Sequence, residues 1–484
     1  MKAPSLARST TLNFLDGAVT LAGALLVSVI LARKLGRDGF GIYALTMSVV
    51  MFVLLFARLG ISGTVRRYVA ELHGKNDLEL AGAVLGRAMR FGLVSGLLAT
   101  AALLALSEPL AVFFHRPELR LDLVIGAAML LPMVVVGILR AVSSGLQRYG
   151  NLLRLSLITS PLWVAGCAFA VWQGAGVPGV LLVTLAMEAV NLVGFGIWSV
   201  RYVGIRWRAP LPAELRSRVQ RYNLALGLLI LLNAVVWERS EILFLGRFQG
   251  VAQVSFYAVP FALTERVVDL LPGAILGVLL PGLSFARGAA DSGRFTAVFS
   301  DALRYLAMLT LPICLFGIPL APAVIRLLYG AQFEGAVVVL QILLVSVVFG
   351  VLGQASRSAL LGLERQGWLL KTGSVAAVAS VGLDFALIPR WGAVGAAVAN
   401  TIVQAAWALA IFVPLWSGVS RSAKEAVVKA ALLAVGLTCL LGLILAIGFT
   451  AAIAVGTGVL VSAVYALILV RLRLVDLRPG VVRT

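Results

Sequence analysis

The chain has 484 residues, of which 61% are hydrophobic and only 13% are charged. With a mean hydropathy of +1.02, this composition excludes a soluble globular protein and predicts an integral membrane protein. The net charge of +19 does not indicate nucleic-acid binding, because the basic residues stand between apolar runs, where membrane topology explains them.

The first apolar run follows a basic N-terminus and is about 20 residues long, which exceeds the apolar core of a signal peptide. We therefore expect this run to be retained as a span. A helix needs about 20 residues to cross the hydrocarbon of a bilayer, and runs of this length recur along the chain. The predicted spans are 12–32, 40–59, 82–106, 122–142, 151–172, 178–200, 222–245, 254–281, 301–327, 336–361, 368–389, 394–416, 426–447 and 450–470.

Lysine and arginine indicate the orientation of these spans. If the N-terminus is cytoplasmic, about 27 of the 40 basic residues lie in or beside cytoplasmic segments and about 8 in or beside outer ones. This asymmetry predicts that both termini are cytoplasmic. The most basic connection, residues 201–223, is interpreted as an anchor on anionic lipid rather than as a site for a specific partner.

Two segment pairs repeat at a spacing of six spans. "RAVSSGLQRYGNLL" from Arg140 aligns with "RSALLGLERQGWLL" from Arg357, and "RKLGRDGFGIYA" from Arg33 aligns with "RFQGVAQVSFYA" from Arg247. An even number of spans per repeat keeps both copies in one orientation. We therefore predict an all-α membrane fold with a six-span lobe at 1–204, a second at 205–418, and two extra C-terminal spans with a cytoplasmic tail at 419–484.

Motifs for phosphate loops, zinc metalloproteases, serine nucleophiles and zinc sites do not occur in the sequence. The three cysteines, Cys167, Cys314 and Cys439, fall inside predicted spans without metal-ligand spacing. Connections of at most about 25 residues leave no room for an extramembrane catalytic domain. We expect no enzyme activity, no cofactor and no metal.

Polar residues line one face of the first and sixth predicted spans. Asp16 belongs to a stripe of small and polar residues in the first span, and Glu188 and Asn191 lie three residues apart in the sixth. Burying a charge at the bilayer centre costs about 3 to more than 10 kcal/mol, depending on how it is measured, so such groups face a bundle interior or a watery cavity. Together with the ionisable residues of the seventh and eighth predicted spans, these residues give each predicted lobe a polar wall.

Ionisable residues also interrupt the seventh and eighth predicted spans, which present both signs of charge at overlapping depth. Guanidinium groups suit phosphate because they form paired hydrogen bonds, and a desolvated carboxyl suits a coupling ion. Internal ion pairs that hold the second lobe together are the alternative interpretation. The candidate substrate-binding residues are Arg239, Arg266, Glu238, Glu188 and Asn191, and the candidate ion-coupling residues are Asp16, Glu241, Glu265 and Asp269.

Three segments resemble the polysaccharide exporters of the multidrug/oligosaccharidyl-lipid/polysaccharide (MOP) flippase superfamily. In residues 31–72, the family's first outer turn, Ala-Arg-x-Leu-Gly followed by Phe-Gly-x-Tyr, matches at seven positions. Residues 60–70 are similar to its next cytoplasmic connection, and "LIPRWGAVGAAVANTI", residues 387–402, is similar to its turn between spans eleven and twelve. The matched positions of the first turn are Ala32, Arg33, Leu35, Gly36, Phe40, Gly41 and Tyr43.

The resemblance implies a flippase of a bacterial inner membrane that moves a polyprenyl-diphosphate-linked oligosaccharide to the outer leaflet. It also implies a V-shaped cavity between lobes, and we expect the polymerase and glycosyltransferases of the same pathway as partners. Two similar lobes without a cofactor or nucleotide site are what alternating access requires. In the family's lipid II branch the two extra spans form a groove for the lipid tail. That branch carries arginines in its first two spans, whereas here the first span has none and Arg58 ends the second, which disfavours peptidoglycan precursors.

Three other classes of function remain open from the residues. A cation-coupled multidrug antiporter of the same superfamily is favoured by Asp16 but usually has twelve spans. A membrane glycan polymerase or ligase usually exposes a long outer loop, which is not predicted here. A scaffold without transport activity is mildly disfavoured by the polar walls.

Overall fold

The computed structural model describes residues 6–237, 240–270, 272, 275–276, 279, 283, 285–287, 291–447 and 451–471. Within these, the side chains of residues 6–10, 229, 231–237, 240, 269–270, 292 and 470 are not described. The described residues form α-helices and two short 3-10 helices and contain no strand. The predicted all-α class is therefore confirmed.

Fourteen α-helices have both ends within the part of the chain that the structure describes. Ten helices within the described residues are long and apolar enough to cross a membrane, and the chain is a multi-pass membrane protein. The bounds are α1 Leu6–Arg58, α2 Ile61–Gly74, α3 Leu78–Phe113, α4 Leu119–Gly145, α5 Tyr149–Trp172, α6 Gly176–Tyr202, α7 Ala213–Trp237, α8 Ser240–Phe248, α9 Val251–Leu270, α10 Ser292–Leu328, α11 Ala336–Gly362, α12 Gln366–Phe412, α13 Arg421–Leu445 and α14 Ala451–Arg471.

Two of the long helices are pairs of spans joined at a glycine. Gly36 interrupts α1 with φ 72°, and Gly392 interrupts α12 with φ 56°. Both values lie in the left-handed region, which glycine enters without the steric cost that a Cβ imposes. Since each glycine falls between two predicted spans, the predicted pairs 12–32 with 40–59 and 368–389 with 394–416 correspond to one broken helix each.

Backbone geometry recurs at the spacing of the sequence repeat. Gly36 has φ 72° and Gly250, 214 residues later, has φ 84°. Gln147 has φ 55° and Glu364, 217 residues later, has φ 59°, although neither is a glycine. Homologous turns therefore join α4 to α5 and α11 to α12, which supports the repeat that the sequence alignment indicates.

The chain divides into two compact units between Val254 and Ser255. In the first unit, α1 packs against α4 and α5, and α3 packs against α4. The amphipathic α2 buries one face that includes Val65, Tyr68 and Leu72, while Arg66 and Arg67 on its other face are exposed. The three-part division predicted from the repeat stays a prediction.

Two glycines, one of them in the first-turn motif, permit close packing in the first unit. A Cβ on Gly41 would lie 1.9 Å from the carbonyl oxygen of Val251, so the start of α9 sits directly on this glycine. A Cβ on Gly86 of α3 would lie 2.2 Å from the carbonyl oxygen of Arg206 in the connection after α6. Any larger residue at either position forces backbone to move.

In the second unit, α13 and α14 pack on α10. Phe316 of α10 meets Tyr465 of α14 edge to face, with ring centroids 5.9 Å apart. Ala430 and Ala434 of α13 are fully buried in the same cluster. The two extra C-terminal helices are thus held by a common apolar core with α10.

Candidate functional site

A buried carboxylate, Asp16, lies in the first half of α1. Its side chain accepts a hydrogen bond from Arg140 Nη2 at 2.7 Å and from Ser156 Oγ at 2.5 Å. These partners come from α4 and α5, so the contact joins three helices of the first unit. Asp16 is only 2% exposed, whereas 45% of the Arg140 side chain is exposed. The cation of this pair therefore remains reachable from outside the unit.

A second arginine, Arg58, ends α1 and contacts α4. Its Nη2 donates a hydrogen bond to the carbonyl oxygen of Met133 at 2.6 Å. Gly137 leaves the room for this contact, because a Cβ there would stand 3.2 Å from the guanidinium. The half-buried Arg58 therefore lies in a notch that the missing side chain of Gly137 creates.

Glu188 of α6 belongs to the same group of charges. Its carboxylate is close enough to Arg58 and Arg140 for both cations to attract it. Its Oε2 is buried and accepts no hydrogen bond from the described residues. A buried polar atom without a partner is costly, so an acceptor left open beside two guanidiniums is suited to a ligand that donates hydrogen bonds.

These four residues, Asp16, Arg58, Arg140 and Glu188, are called the polar cluster below. It holds two cations and two carboxylates on α1, α4 and α6. Asn191 follows Glu188 by three residues, about 60° away on the helix, and is half-buried. The arginines of the cluster can bind phosphate oxygens in pairs, and Glu188 can accept from hydroxyl groups.

Only some of the other candidate residues lie within the part of the chain that the structure describes. Glu241 is buried in the first turn of α8, while Glu265 and Arg266 of α9 are half-buried in the second unit. Glu238, Arg239 and the side chain of Asp269 lie outside the described residues. The roles predicted for all of these residues stay predictions, as does ion coupling by Asp16.

No local sequence pattern assigns a site role to Arg58 or Arg140. Arg58 stands at the end of a predicted span, and Arg140 begins a repeated segment. The cluster brings together residues 124 positions apart, such as Asp16 and Arg140, which no local pattern reveals. The signal that was available is the repeat itself, since Arg140 and its counterpart Arg357 are charges inside predicted spans of both lobes.

No metal-binding group of three or more His, Cys, Asp or Glu side chains occurs among the described residues. Buried Cys167 and Cys314 and exposed Cys439 are free thiols.

The fold resembles solved membrane transporters. It matches a lipid II flippase MurJ in an inward closed conformation with a TM-score of 0.77 and 14% identity, over 95% of this chain and 99% of that one. It matches an inward-facing MATE family multidrug transporter of the MOP superfamily with a TM-score of 0.71 and 18% identity, over 85% and 95%. A MOP superfamily transporter from Pyrococcus furiosus matches with a TM-score of 0.58 and 17% identity, over 88% and 95%.

Among curated proteins, none matches this chain in sequence. The family model described as "Polysaccharide biosynthesis protein" matches residues 30–338, well over half of the chain. That range contains the first-turn motif, three members of the polar cluster and all of the candidate residues except Asp16. The chain is therefore a member of the polysaccharide biosynthesis protein family, with the fold of the MOP superfamily transporters.

Proposed function

We propose that this protein flips a polyprenyl-diphosphate-linked oligosaccharide from the cytoplasmic to the outer leaflet of a bacterial inner membrane. The product would feed assembly of a surface polysaccharide such as lipopolysaccharide O-antigen or an exopolysaccharide. Membership of the polysaccharide biosynthesis family supports the substrate class, and the MOP fold supports transport. Both termini are proposed to be cytoplasmic, as the distribution of basic residues predicts.

The observation that carries this proposal is the polar cluster of the first unit. A lipid-linked oligosaccharide presents a diphosphate, which is anionic, next to sugar hydroxyls, which donate hydrogen bonds. Arg58 and Arg140 match the first group, and the open Oε2 of Glu188 matches the second. Asn191, one turn along α6, adds an amide of the kind that pairs with hydroxyls.

Asp16 is proposed to hold Arg140 in place when substrate is absent. The diphosphate competes with Asp16 for the guanidinium, which frees a buried carboxylate to take up a proton or a cation. This exchange would couple an ion to the substrate through one side chain. Glu241, Glu265 and Asp269 remain further candidates for ion coupling.

Arg239 and Arg266 remain part of the proposal as additional cations for the diphosphate, with Glu238 beside them for sugar hydroxyls. Transport would proceed by alternating access of two repeated lobes, as in other repeat-built carriers. Glycosyltransferases and a polymerase of the same pathway are the proposed partners, because they make the substrate and consume the product.

Export in cells tests this function. In a strain that depends on this protein, Arg58→Gln and Glu188→Gln should each lower surface polysaccharide at normal protein level. Losing one charged hydrogen bond, about 1.5–3 kcal/mol, corresponds to about a tenfold to hundredfold slower rate. Arg120→Gln is the matched control, because Arg120 lies on α4 in an exposed pair with Glu108.

The intermediate that accumulates distinguishes a flippase from an enzyme. If the protein is a flippase, these variants should accumulate lipid-linked repeat units in the cytoplasmic leaflet. An added glycosidase should then digest the repeat units only after the cells are permeabilised. Unchanged export in both Arg58→Gln and Glu188→Gln would remove the polar cluster from the proposal. Repeat units that accumulate on the outer face instead would indicate a polymerase or ligase.

A cation-coupled multidrug antiporter is the second candidate, favoured by the buried Asp16 and by the likeness to MATE folds. Cells that express the protein would then export cationic dyes in a manner that Asp16→Asn abolishes. Dye export without any effect on polysaccharide would replace the flippase proposal.

A further inference from the structure

A cavity of about 540 Å³ lies within the second unit, where several helices end. Its walls come from the start of α10, the turn between α11 and α12, and the 3-10 helix Val413–Gly418 that precedes α13. A second cavity of about 420 Å³ adjoins it and shares Arg365 and Pro414. Both volumes fall in the range of small-molecule sites, about 300–1,000 Å³.

Arg365 supplies the charge of this double cavity. The residue precedes the first turn of α12, is exposed, and has no carboxylate within ion-pair distance among the described residues. The cavity's other cation, Arg287, stands 4.0 Å from Glu364, a long contact between two exposed groups. Asp291 is engaged as the N-cap of α10, accepting from the backbone N–H of Arg294 at 2.8 Å. Arg365 is therefore free to bind an anion.

The remaining walls are mostly hydrocarbon. Phe295, Phe299 and Leu415 line the larger cavity, and Leu360 and Pro414 line the smaller one. A soluble phosphate compound would leave these apolar surfaces in water, whereas an acyl chain would cover them. A ligand that fits has an anionic head group and an attached apolar chain.

The surroundings place this double cavity at a membrane boundary. Trp368 and Trp416 beside it are 45% and 49% exposed, and tryptophan is enriched where hydrocarbon meets water. Lys424 lies over the Trp416 ring at 4.3 Å, which adds a cation at the same end. Basic side chains at a membrane surface, such as Arg365 and Lys424, favour anionic over zwitterionic lipids.

We propose that this double cavity binds one anionic phospholipid, with its phosphate on Arg365 and the upper parts of its two acyl chains along Phe299 in the larger cavity and along Leu360 in the smaller one. The site lies wholly within the second unit and shares no residue with the polar cluster. It also contains none of the candidate substrate-binding or ion-coupling residues, so a lipid held there goes beyond the proposed function.

Native mass spectrometry of the purified full-length protein tests the site. The probes are phosphatidylglycerol, phosphatidylcholine, a polyprenyl phosphate and inorganic phosphate. Phosphatidylglycerol should bind the wild type about tenfold more tightly than phosphatidylcholine does, because the phosphate of either lipid can accept a hydrogen bond from Arg365 but the choline cation is repelled by Arg365 and Lys424. Arg365→Gln should abolish that preference, and Arg365→Lys should keep part of it.

Two further variants make the result decisive. Arg421→Gln is the control at the same end of the unit, because Arg421 is 94% exposed and pairs with Glu425 outside the cavity; it should bind lipid like the wild type. Thr296→Trp fills the larger cavity without changing a charge and should also lose phosphatidylglycerol. If Arg365→Gln failed to fold, Thr296→Trp would carry the test.

Three results would overturn the proposal. Equal binding of phosphatidylglycerol by the wild type, Arg365→Gln and Thr296→Trp would place the lipid elsewhere. Competition by inorganic phosphate at the same concentration as lipid would indicate a soluble ligand. Binding of the polyprenyl phosphate alone would make the cavity part of the substrate path.

Discussion

The contact between Asp16 and Arg140 joins two groups of very different burial, which makes its energetics testable. Arg140→Gln removes the cation but leaves Asp16, 2% exposed, with Ser156 as its side-chain donor among the described residues. Asp16→Asn removes the carboxylate but leaves Arg140 partly in contact with solvent. The first change should therefore destabilise the fold more than the second.

The expected loss in free energy of unfolding lies between the values for exposed and for buried ion pairs. Exposed pairs contribute about 0–1 kcal/mol, whereas removing one partner of a buried pair costs about 3–5 kcal/mol. Because Asp16 is buried and Arg140 is half-exposed, we expect about 2 kcal/mol for Arg140→Gln and about 1 kcal/mol for Asp16→Asn. The double variant removes both charges and should cost about 1–1.5 kcal/mol, less than the sum.

The relative stabilities of these variants can be measured as Tm, from tryptophan fluorescence during heating in detergent. Arg140→Gln should lower Tm by about 5 °C, given about 2–4 °C per kcal/mol for a unit of this size, and the double variant by less. Arg120→Gln, in an exposed pair on the same helix, should leave Tm within about 1 °C. A double variant as unstable as the two single changes combined would refute the coupling, and an unchanged Tm for Arg140→Gln would refute the buried pair.

Three further predictions concern other parts of the first unit. Gly86→Ala should destabilise the fold by about 1–3 kcal/mol, because its Cβ would meet a backbone carbonyl at 2.2 Å, and an unchanged Tm would contradict that packing. Asp122→Asn should raise Tm at neutral pH, because Asp122 is 3% exposed and its Oδ1 accepts no hydrogen bond from the described residues; a lower Tm would reveal a partner that needs the charge. Hydrogen bonds from Lys75 and then Arg218 lower the pKa of Glu71 below its ordinary 4.5, so this contact stabilises above that pH and is lost as pH falls through the folded pKa. Glu71→Gln should therefore lower Tm slightly at pH 7 but not at a pH below the folded pKa of Glu71, and a deficit independent of pH would assign the effect to packing.

Much of the fold could be predicted because hydrophobicity and turn chemistry are local properties. Apolar runs set the spans, and the repeated turns at Gln147 and Glu364 have nearly the same backbone geometry. The sequence also predicts two spans on either side of Gly36 and of Gly392, and the backbone of α1 and of α12 is non-helical at these glycines.

The candidate site was only partly predictable for a different reason. Asp16 and Glu188 stand out locally as charges in apolar runs, and both belong to the polar cluster. Arg58 and Arg140 stand near span ends, where an arginine can reach the interface and needs no partner. The notch at Gly137 and the contact with Met133 arise from tertiary packing, which the local pattern does not encode.

The most direct measurement is translocation by the purified protein in liposomes. A polyprenyl-diphosphate-linked oligosaccharide is placed in both leaflets, and a glycosidase added outside digests the molecules that reach the outer surface. We expect wild-type protein to bring nearly all of the lipid within reach of the enzyme, whereas Arg58→Gln combined with Glu188→Gln leaves about half protected, as in liposomes without protein. The same assay is repeated with proton and sodium gradients of either direction. If half of the lipid stays protected with the folded wild-type protein under all of these conditions, the account is contradicted.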